Sequence, residues 1–226
     1  MLAVPILSTA QTQPHLYPTG NTSVKYHTIW TKSHYNERIA EFKVNPLNFG
    51  DIVFLGNSIT EGGKNWSEKF NVPNIRNRGI SGDVTDGVLE RLGEIIYFKP
   101  KAVFLLIGIN DLFNLHYQKQ IPSPEYVGNN ILKIARIIKQ KSPPTQIYIQ
   151  TLLPTDKDFM RENINTVNAI IKSHQAEGIY QTIDLNAVFS NEEGLLKKLF
   201  TYDGTHLNDM GYRLWAETEK AILKSI

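Results

Sequence analysis

The chain has no cysteine among its 226 residues. That absence excludes disulfides, thiolate nucleophiles and cysteine metal sites, and it leaves the compartment open. An excess of one charge is missing too: 24 Lys and Arg stand against 22 Asp and Glu, a net charge of +2. A nearly balanced chain carries no electrostatic footprint for nucleic acid or for an anionic membrane surface. No apolar run approaches the roughly 20 residues of a membrane span. Nucleotide loops are also lacking. Residues 56–60 have no P-loop lysine, and residues 79–82 do not complete G-x-G-x-x-G. Internal repeats and low-complexity segments are absent.

What remains is an ordinary globular composition, 41% hydrophobic and 20% charged, in a length that suits one domain with a sizeable core. The N-terminus reads two ways. Residues 1–13 hold a short apolar stretch followed by Ser8-Thr9-Ala10, small residues that suit cleavage after Ala10. No Lys or Arg precedes the stretch, so it is a truncated signal, which would make the protein secreted or periplasmic, or a disordered tail of a cytoplasmic protein. Residues 11–24 are rich in Pro, Thr, Asn and Gly and read as an irregular lead-in. The expected division is a tail or signal remnant over 1–24 and one domain over 25–226.

The domain alternates. Helical patterns are expected over residues 33–44, 58–70, 85–96, 161–174, from Ser123-Pro124 up to Pro143-Pro144, and after Asn208. Ser123 and Pro124 are a capping residue and a first-turn proline. Strands are expected at 52–55, 74–77, 102–107, 146–151 and 180–185. The run 102–107 is continuous, as a parallel strand covered on both faces should be. Five strands separated by helices predict an α/β fold with a parallel sheet, and right-handed crossovers put every strand-to-helix junction on one edge.

Polar clusters sit at those junctions: Gly56-Asn57-Ser58, Gly79-Ile80-Ser81-Gly82-Asp83 and Gly108-Ile109-Asn110-Asp111. A fourth, 203–208, precedes the last helix. Ser58 follows an apolar strand and a glycine break, a junction that lifts a side chain off the end of a sheet, where open α/β proteins place their sites. A serine hydroxyl needs a base to take its proton, and histidine is the usual one. Asp203 and His206, three apart, let a carboxylate hold one ring nitrogen while the other faces a hydroxyl. Acyl transfer also develops an oxyanion that needs fixed donors. Candidates are the backbone N–H of Ser58, the backbone N–H of Gly82 and the side-chain amide of Asn110. Taken singly, Ser58 reads as a helix cap, the glycines as turns and Asn110-Asp111 as a loop pair. Four such clusters in order at strand ends make chance a poor account.

The ordered blocks resemble the SGNH hydrolases, also called GDSL-type esterases and lipases. GNSIT is similar to the serine block, RGISGD to the glycine block, GIND to the G-x-N-D block and DGTHLN to the D-x-x-H block. The chain is most similar to the branch that holds the platelet-activating-factor acetylhydrolase catalytic subunits and bacterial acetyl esterases. The resemblance implies Ser58 as nucleophile, His206 as base, Asp203 as its orienter, and Ser58, Gly82 and Asn110 as the oxyanion hole. It further implies a flavodoxin-like three-layer α/β/α sandwich with strand order 2-1-3-4-5, and no metal or organic cofactor. Asn57 departs from the pattern, standing where the family has Asp. Its short polar side chain can still bond the turn, so the nucleophile should survive.

The expected activity is a serine esterase acting on small acyl esters, acetyl above all, with a sugar or other polar alcohol leaving. Lysophospholipase or thioesterase activity is the nearest alternative. Two other classes stand beside it: a binding or scaffold protein on a hydrolase fold, and a flavodoxin-like nucleotide or flavin binder. His15, His27, His34, His116 and His174 read as surface or structural residues. Tyr97, Phe98, Phe113, Tyr117 and Phe159 are candidates to line an acyl or leaving-group pocket, against core or rim packing. Asp83 and Asp111 are expected to hold their turns through local N–H groups.

Overall fold

Three apolar runs fix the centre of the molecule. Ile52–Gly56 (β1), Ala102–Leu106 (β3) and Gln146–Gln150 (β4) are buried along almost their whole length. Strands buried on both faces have to be covered by helices on both sides. The computed structural model describes residues 16–20 and 22–226, and the signal-like stretch 1–13 and His15 lie outside the described residues. The sheet is parallel, with Ile75–Gly79 (β2) on one edge and Gln181–Ile183 (β5) on the other. The strand order is 2-1-3-4-5, as expected. Crossovers from β1 run in opposite directions to β2 and then back to β3, so right-handedness puts their helices on opposite faces. Trp66–Phe70 (α3) packs with the last helix on one face. On the other, Thr85–Glu90 (α4), Gly93–Phe98 (α5), Pro124–Lys141 (α7) and Arg161–Ser173 (α8) form a continuous layer.

One face of the sheet is an aromatic ladder. Register aligns Phe54 with Phe104 and Phe104 with Tyr148, and their rings stack at 4.8 and 4.6 Å. Trp66 stacks on Phe54 at 4.5 Å, and Trp215 meets Trp66 edge-on at 4.9 Å. Each such aromatic contact adds roughly 0.5–1.5 kcal/mol beyond the area it buries. Trp66 and Trp215 are fully buried, so the ladder fixes α3 and Asp209–Ser225 (α10) against the sheet. It thereby sets where the start of α10 meets the end of β1.

Several element boundaries differ from expectation. The first helix, Ile29–Val44 (α1), begins at a Thr28 cap whose side chain accepts the Thr31 N–H at 3.2 Å; Ser33 lies inside it and donates to Glu37. The pattern over 58–70 is two helices, Ser58–Glu61 (α2) and α3. Gly62-Gly63 and a left-handed Lys64 (φ 54) break it, and Asn65 caps the second piece. The pattern over 85–96 is also split, because the chain leaves helical geometry at Arg91. Strand β2 starts one residue later and runs on to Gly79, whose partner is Gly56. Strand β5 is shorter than expected: Asp184 caps a new helix, Leu185–Phe189 (α9). Ile109–Tyr117 (α6) is a helix outside every expected span. The described part of the lead-in, residues 16–20 and 22–24, is irregular as expected but tied down. The Tyr17 hydroxyl donates to Glu94 at 2.8 Å and lies 3.1 Å from the Phe42 carbonyl.

Candidate active site

Strand order reverses between β1 and β3, and in open α/β sheets the crevice beyond such a point is where ligands bind. Ser58 lies at the end of β1 and Asn110 just past β3, on either side of that point. Asn57 caps α2, its Oδ1 accepting the Ile59 N–H at 3.0 Å. The substitution of Asn for the family's Asp therefore keeps the bond that shapes the turn. Ser58 is the first residue of α2, so its N–H is one of the orphan donors of a helix start.

The base arrives from the far end of the chain. Tyr212 on α10 donates to the Ile59 carbonyl at 2.8 Å, pinning the start of α10 to the helix that carries Ser58. The residues before α10 fold on themselves. Thr201 Oγ1 donates to the His206 carbonyl and accepts the Gly204 N–H. Asp203 Oδ1 accepts the N–H groups of Thr205 and His206. Gly204 has φ +82, and a Cβ there would collide with the Asp156 carboxylate, so the turn is closed to side chains. The outcome is a linear relay: Ser58 Oγ to His206 Nε2 is 2.9 Å, and His206 Nδ1 to Asp203 Oδ2 is 2.7 Å. With Nδ1–H donating to the carboxylate, Nε2 is left to accept the serine proton. Partial burial pushes the Asp203 carboxyl up, but bonds from the His206 ring, the His206 N–H and the Thr205 N–H outweigh it and hold the group below the usual carboxylate range.

The donor side is built from β2 and β3. Gly82 has φ +78, and a Cβ there would strike Thr31 of α1. Among the described residues the Ser58 and Gly82 N–H groups have no protein acceptor. Asn110 donates one carboxamide hydrogen to the Asp83 carbonyl at 2.9 Å, which leaves its second for a ligand. All five candidate residues, Ser58, Gly82, Asn110, Asp203 and His206, therefore stand at the same edge of the sheet, three of them in direct hydrogen-bonded sequence.

Buried charge fixes this side, and sequence reasoning missed most of it. Arg91 donates to Asp83 at 2.9 Å and to the carbonyls of Arg78 and Gly56, so one guanidinium ties the ends of β1 and β2 to the glycine turn. Asp83 does accept a local N–H, from Val84, together with contacts from Arg91 and His27. Asp111 does not act locally. It reaches across to the Thr85 N–H and hydroxyl, joining the asparagine turn to α4. Burial pushes its carboxyl up to about 7 against those two bonds. A signal for Arg91 was present: it lies between Val88 and Leu92 on the inward face of a helical pattern, where an arginine has to be paired. His27 is a buried structural histidine on Asp83, and His34 is held by Glu61 at 3.1 Å. Of the candidate pocket aromatics, Tyr97 and Phe98 pack with Phe49 beside Lys99 and Lys141, at the opposite edge of the sheet. Phe113 and Tyr117 continue along α6 from Asn110, with Phe159 edge-on to Tyr117. Among the described residues no helix is long and apolar enough to cross a membrane.

The GDSL-like Lipase/Acylhydrolase family model matches residues 54–214, more than two-thirds of the chain. The platelet-activating factor acetylhydrolase IB subunit alpha2 of Rattus norvegicus is 26% identical over 214 residues, covering 91% of this chain and 88% of its own. The alpha1 subunit of Homo sapiens is 27% identical over 170 residues, 72% of this chain and 70% of its own. A solved GDSL-like lipase from Bacteroides thetaiotaomicron superposes with a TM-score of 0.72 at 23% identity, covering 85% of this chain and 98% of that one. An acetyl xylan esterase, AlAXEase, does so at 0.64 and 20% identity, covering 76% and 98%. At those identities the two structures establish the fold. The family match, over blocks that converge on one sheet edge, makes the chain a member of the GDSL-like lipase/acylhydrolase family and a carboxylic ester hydrolase.

Proposed function

We propose that the chain is a serine esterase of short acyl esters, acetyl esters first, in which Ser58, His206 and Asp203 form the catalytic triad. The observation that carries this reading is the unbroken relay from Ser58 Oγ to His206 at 2.9 Å and on to Asp203 at 2.7 Å, beside three candidate donors. Ser58 Oγ attacks the ester carbonyl while its proton passes to His206 Nε2. Asp203 holds the ring and stabilises the imidazolium. The carbonyl oxygen becomes an oxyanion bound by the N–H groups of Ser58 and Gly82 and the Asn110 amide. Collapse expels the alcohol, which takes the proton from His206. Water then enters, loses a proton to His206, and releases the acyl group from Ser58 by the same steps in reverse.

Short acyl groups are favoured by the openness of the base side, where the His206 and Asp203 side chains are 33% and 40% exposed. A long chain would gain little from a site so wet. The names of the relatives, acetylhydrolase and acetyl xylan esterase, point the same way. A second reading, lysophospholipase or thioesterase activity on longer chains, is supported by the aromatic patch of Phe113, Tyr117 and Phe159 beyond Asn110.

Hydrolysis of p-nitrophenyl esters from acetate to octanoate, by wild type and Ser58→Ala, tests both. The expected result is acetate fastest and no serine-dependent turnover in the variant. An octanoate preference would move the substrate to lipids, and an active Ser58→Ala would sink the triad. A well-folded wild type that neither hydrolyses any ester nor reacts with a fluorophosphonate would return the scaffold reading.

A further inference from the structure

Two large aromatic rings stand exposed at the rim of the site, one on the donor side and one on the base side. Trp30, near the start of α1, is 60% exposed, and Tyr202, immediately before Asp203, is 71% exposed. Trp30 lies beyond residues 54–214, in a helix that the family match does not include. It is nevertheless placed against the donor turn: its ring would lie 3.4 Å from a Cβ on Gly82.

The Trp30 ring is held, not free. It stacks on His34 at 5.3 Å with planes 8° apart. His34 Nε2 lies 3.1 Å from both oxygens of Glu61. Glu61, on the same short helix as Ser58, in turn accepts the N–H and hydroxyl of Ser81 beside Gly82. A chain of contacts thus runs from the helix of the nucleophile back to the tryptophan, while most of the ring faces solvent. Tyr202 lies nearly parallel to the His206 imidazole, 12° apart with centroids at 6.0 Å. It therefore flanks the imidazole on the base side of the relay.

An exposed tryptophan with a fixed orientation presents a flat, electron-rich face at little further entropic cost. The C–H groups on one face of a pyranose ring carry slight positive charge and pack on such a face, while its hydroxyls stay in water. A quaternary ammonium has a different need: aromatic faces converging on one point. Here the two rings belong to opposite flanks of the relay. We infer that Trp30 and Tyr202 are stacking plates for a carbohydrate, so that the leaving alcohol is a sugar ring of an O-acetylated oligosaccharide. The inference rests on the serine-esterase reading above.

Binding and turnover test it separately. In a Ser58→Ala background, the dissociation constant for acetylated xylotriose is measured by calorimetry with Trp30→Ala, Trp30→Phe, Tyr202→Ala and Tyr202→Phe. Each Ala change should weaken binding about tenfold, and each Phe change should keep it within roughly threefold of the parent. With Ser58 restored, each Ala variant should lose about tenfold more kcat/KM on acetylated xylobiose than on ethyl acetate, mainly through KM. Equal binding by parent and Ala variants, or equal losses on both esters, would overturn the plates. So would a wild type that cleaves a 2-acetyl glycerophospholipid in vesicles but binds no acetylated oligosaccharide. Hydrolysis surviving in Ser58→Ala would instead remove the triad, and the calorimetry would still decide the plates.

Discussion

The two flanks of Ser58 are built by different means. On the donor side, the ends of β1 and β2 and the glycine turn are joined by charge that water does not reach. Arg91 is paired with Asp83, and Arg78 with Glu94, all almost fully buried. On the base side, Asp203 and His206 sit in a half-exposed turn held by its own backbone bonds and by Thr201. The buried carboxyl of Glu219 on α10 accepts from Gln150 at 2.7 Å and has no cation partner among the described residues. The difference follows from what each flank has to do. Oxyanion donors stabilise charge only if they do not reorganise, so they are fixed to strands and buried ion pairs. A base that exchanges protons with an alcohol and then with water needs solvent nearby and needs only its tautomer fixed. Function should therefore be fragile on the base side and stability fragile on the donor side.

The largest expected effect is on the base side. Asp203→Asn should reduce kcat by about 10⁴, because an amide no longer fixes the imidazole tautomer or stabilises the imidazolium. The melting temperature should change little, since Asp203 is exposed and its turn has other bonds. Steady-state kinetics beside thermal melts would show it. A variant that lost its fold instead would break the comparison.

Arg91→Met should invert that pattern. It leaves the Asp83 carboxylate buried without its cation and strips bonds from the Gly56 and Arg78 carbonyls. Breaking a buried pair from one side costs roughly 3–5 kcal/mol. Urea unfolding should register that loss, with the slope of the transition unchanged. Asn110→Ala is the next step down. It should lower kcat by roughly 10²–10³ while leaving KM for a small ester nearly unchanged, as expected of a donor used mainly in the transition state. A rise in KM with kcat preserved would place Asn110 in ground-state binding instead.

The same asymmetry decides how much was legible in the sequence. The sheet and the five candidate positions were readable because the central strands are apolar and polar clusters follow β1, β2 and β3 and precede α10, while the strand order came only with the family resemblance. Asn57 was readable for the same reason, since capping a turn is a local act that the structure repeats. What escaped was tertiary. Arg91, where an expected helix ends, turns its side chain inward to three partners that are adjacent only after folding. Asp111 looked like a local turn residue, yet it bonds Thr85, 26 positions away. Helix α6 is short and starts inside the polar motif 108–111, and its buried positions mix Leu112 with the polar Asp111 and Asn114, which blurs a helical apolar pattern. Thr28 and Ser33 are both capping types, and only packing chose between them.

The smallest effect concerns Glu219, and it sharpens the contrast between a buried carboxyl with a cation and one without. Burial pushes the Glu219 carboxyl up from 4.5 to about 8, against a bond from Gln150. The folded state then binds a proton that the unfolded state releases. An acid raised in this way favours folding below about pH 4.5, loses that advantage as pH rises towards 8, and carries its full penalty above that. The wild-type melting temperature should therefore fall between pH 6 and pH 9, while Glu219→Gln should follow a flatter course over the same range. Each kcal/mol corresponds to roughly 2–4 °C in a domain of this size. The difference between the two melting curves isolates one residue. Parallel curves for wild type and Glu219→Gln would mean that Glu219 reaches water or a cation in solution.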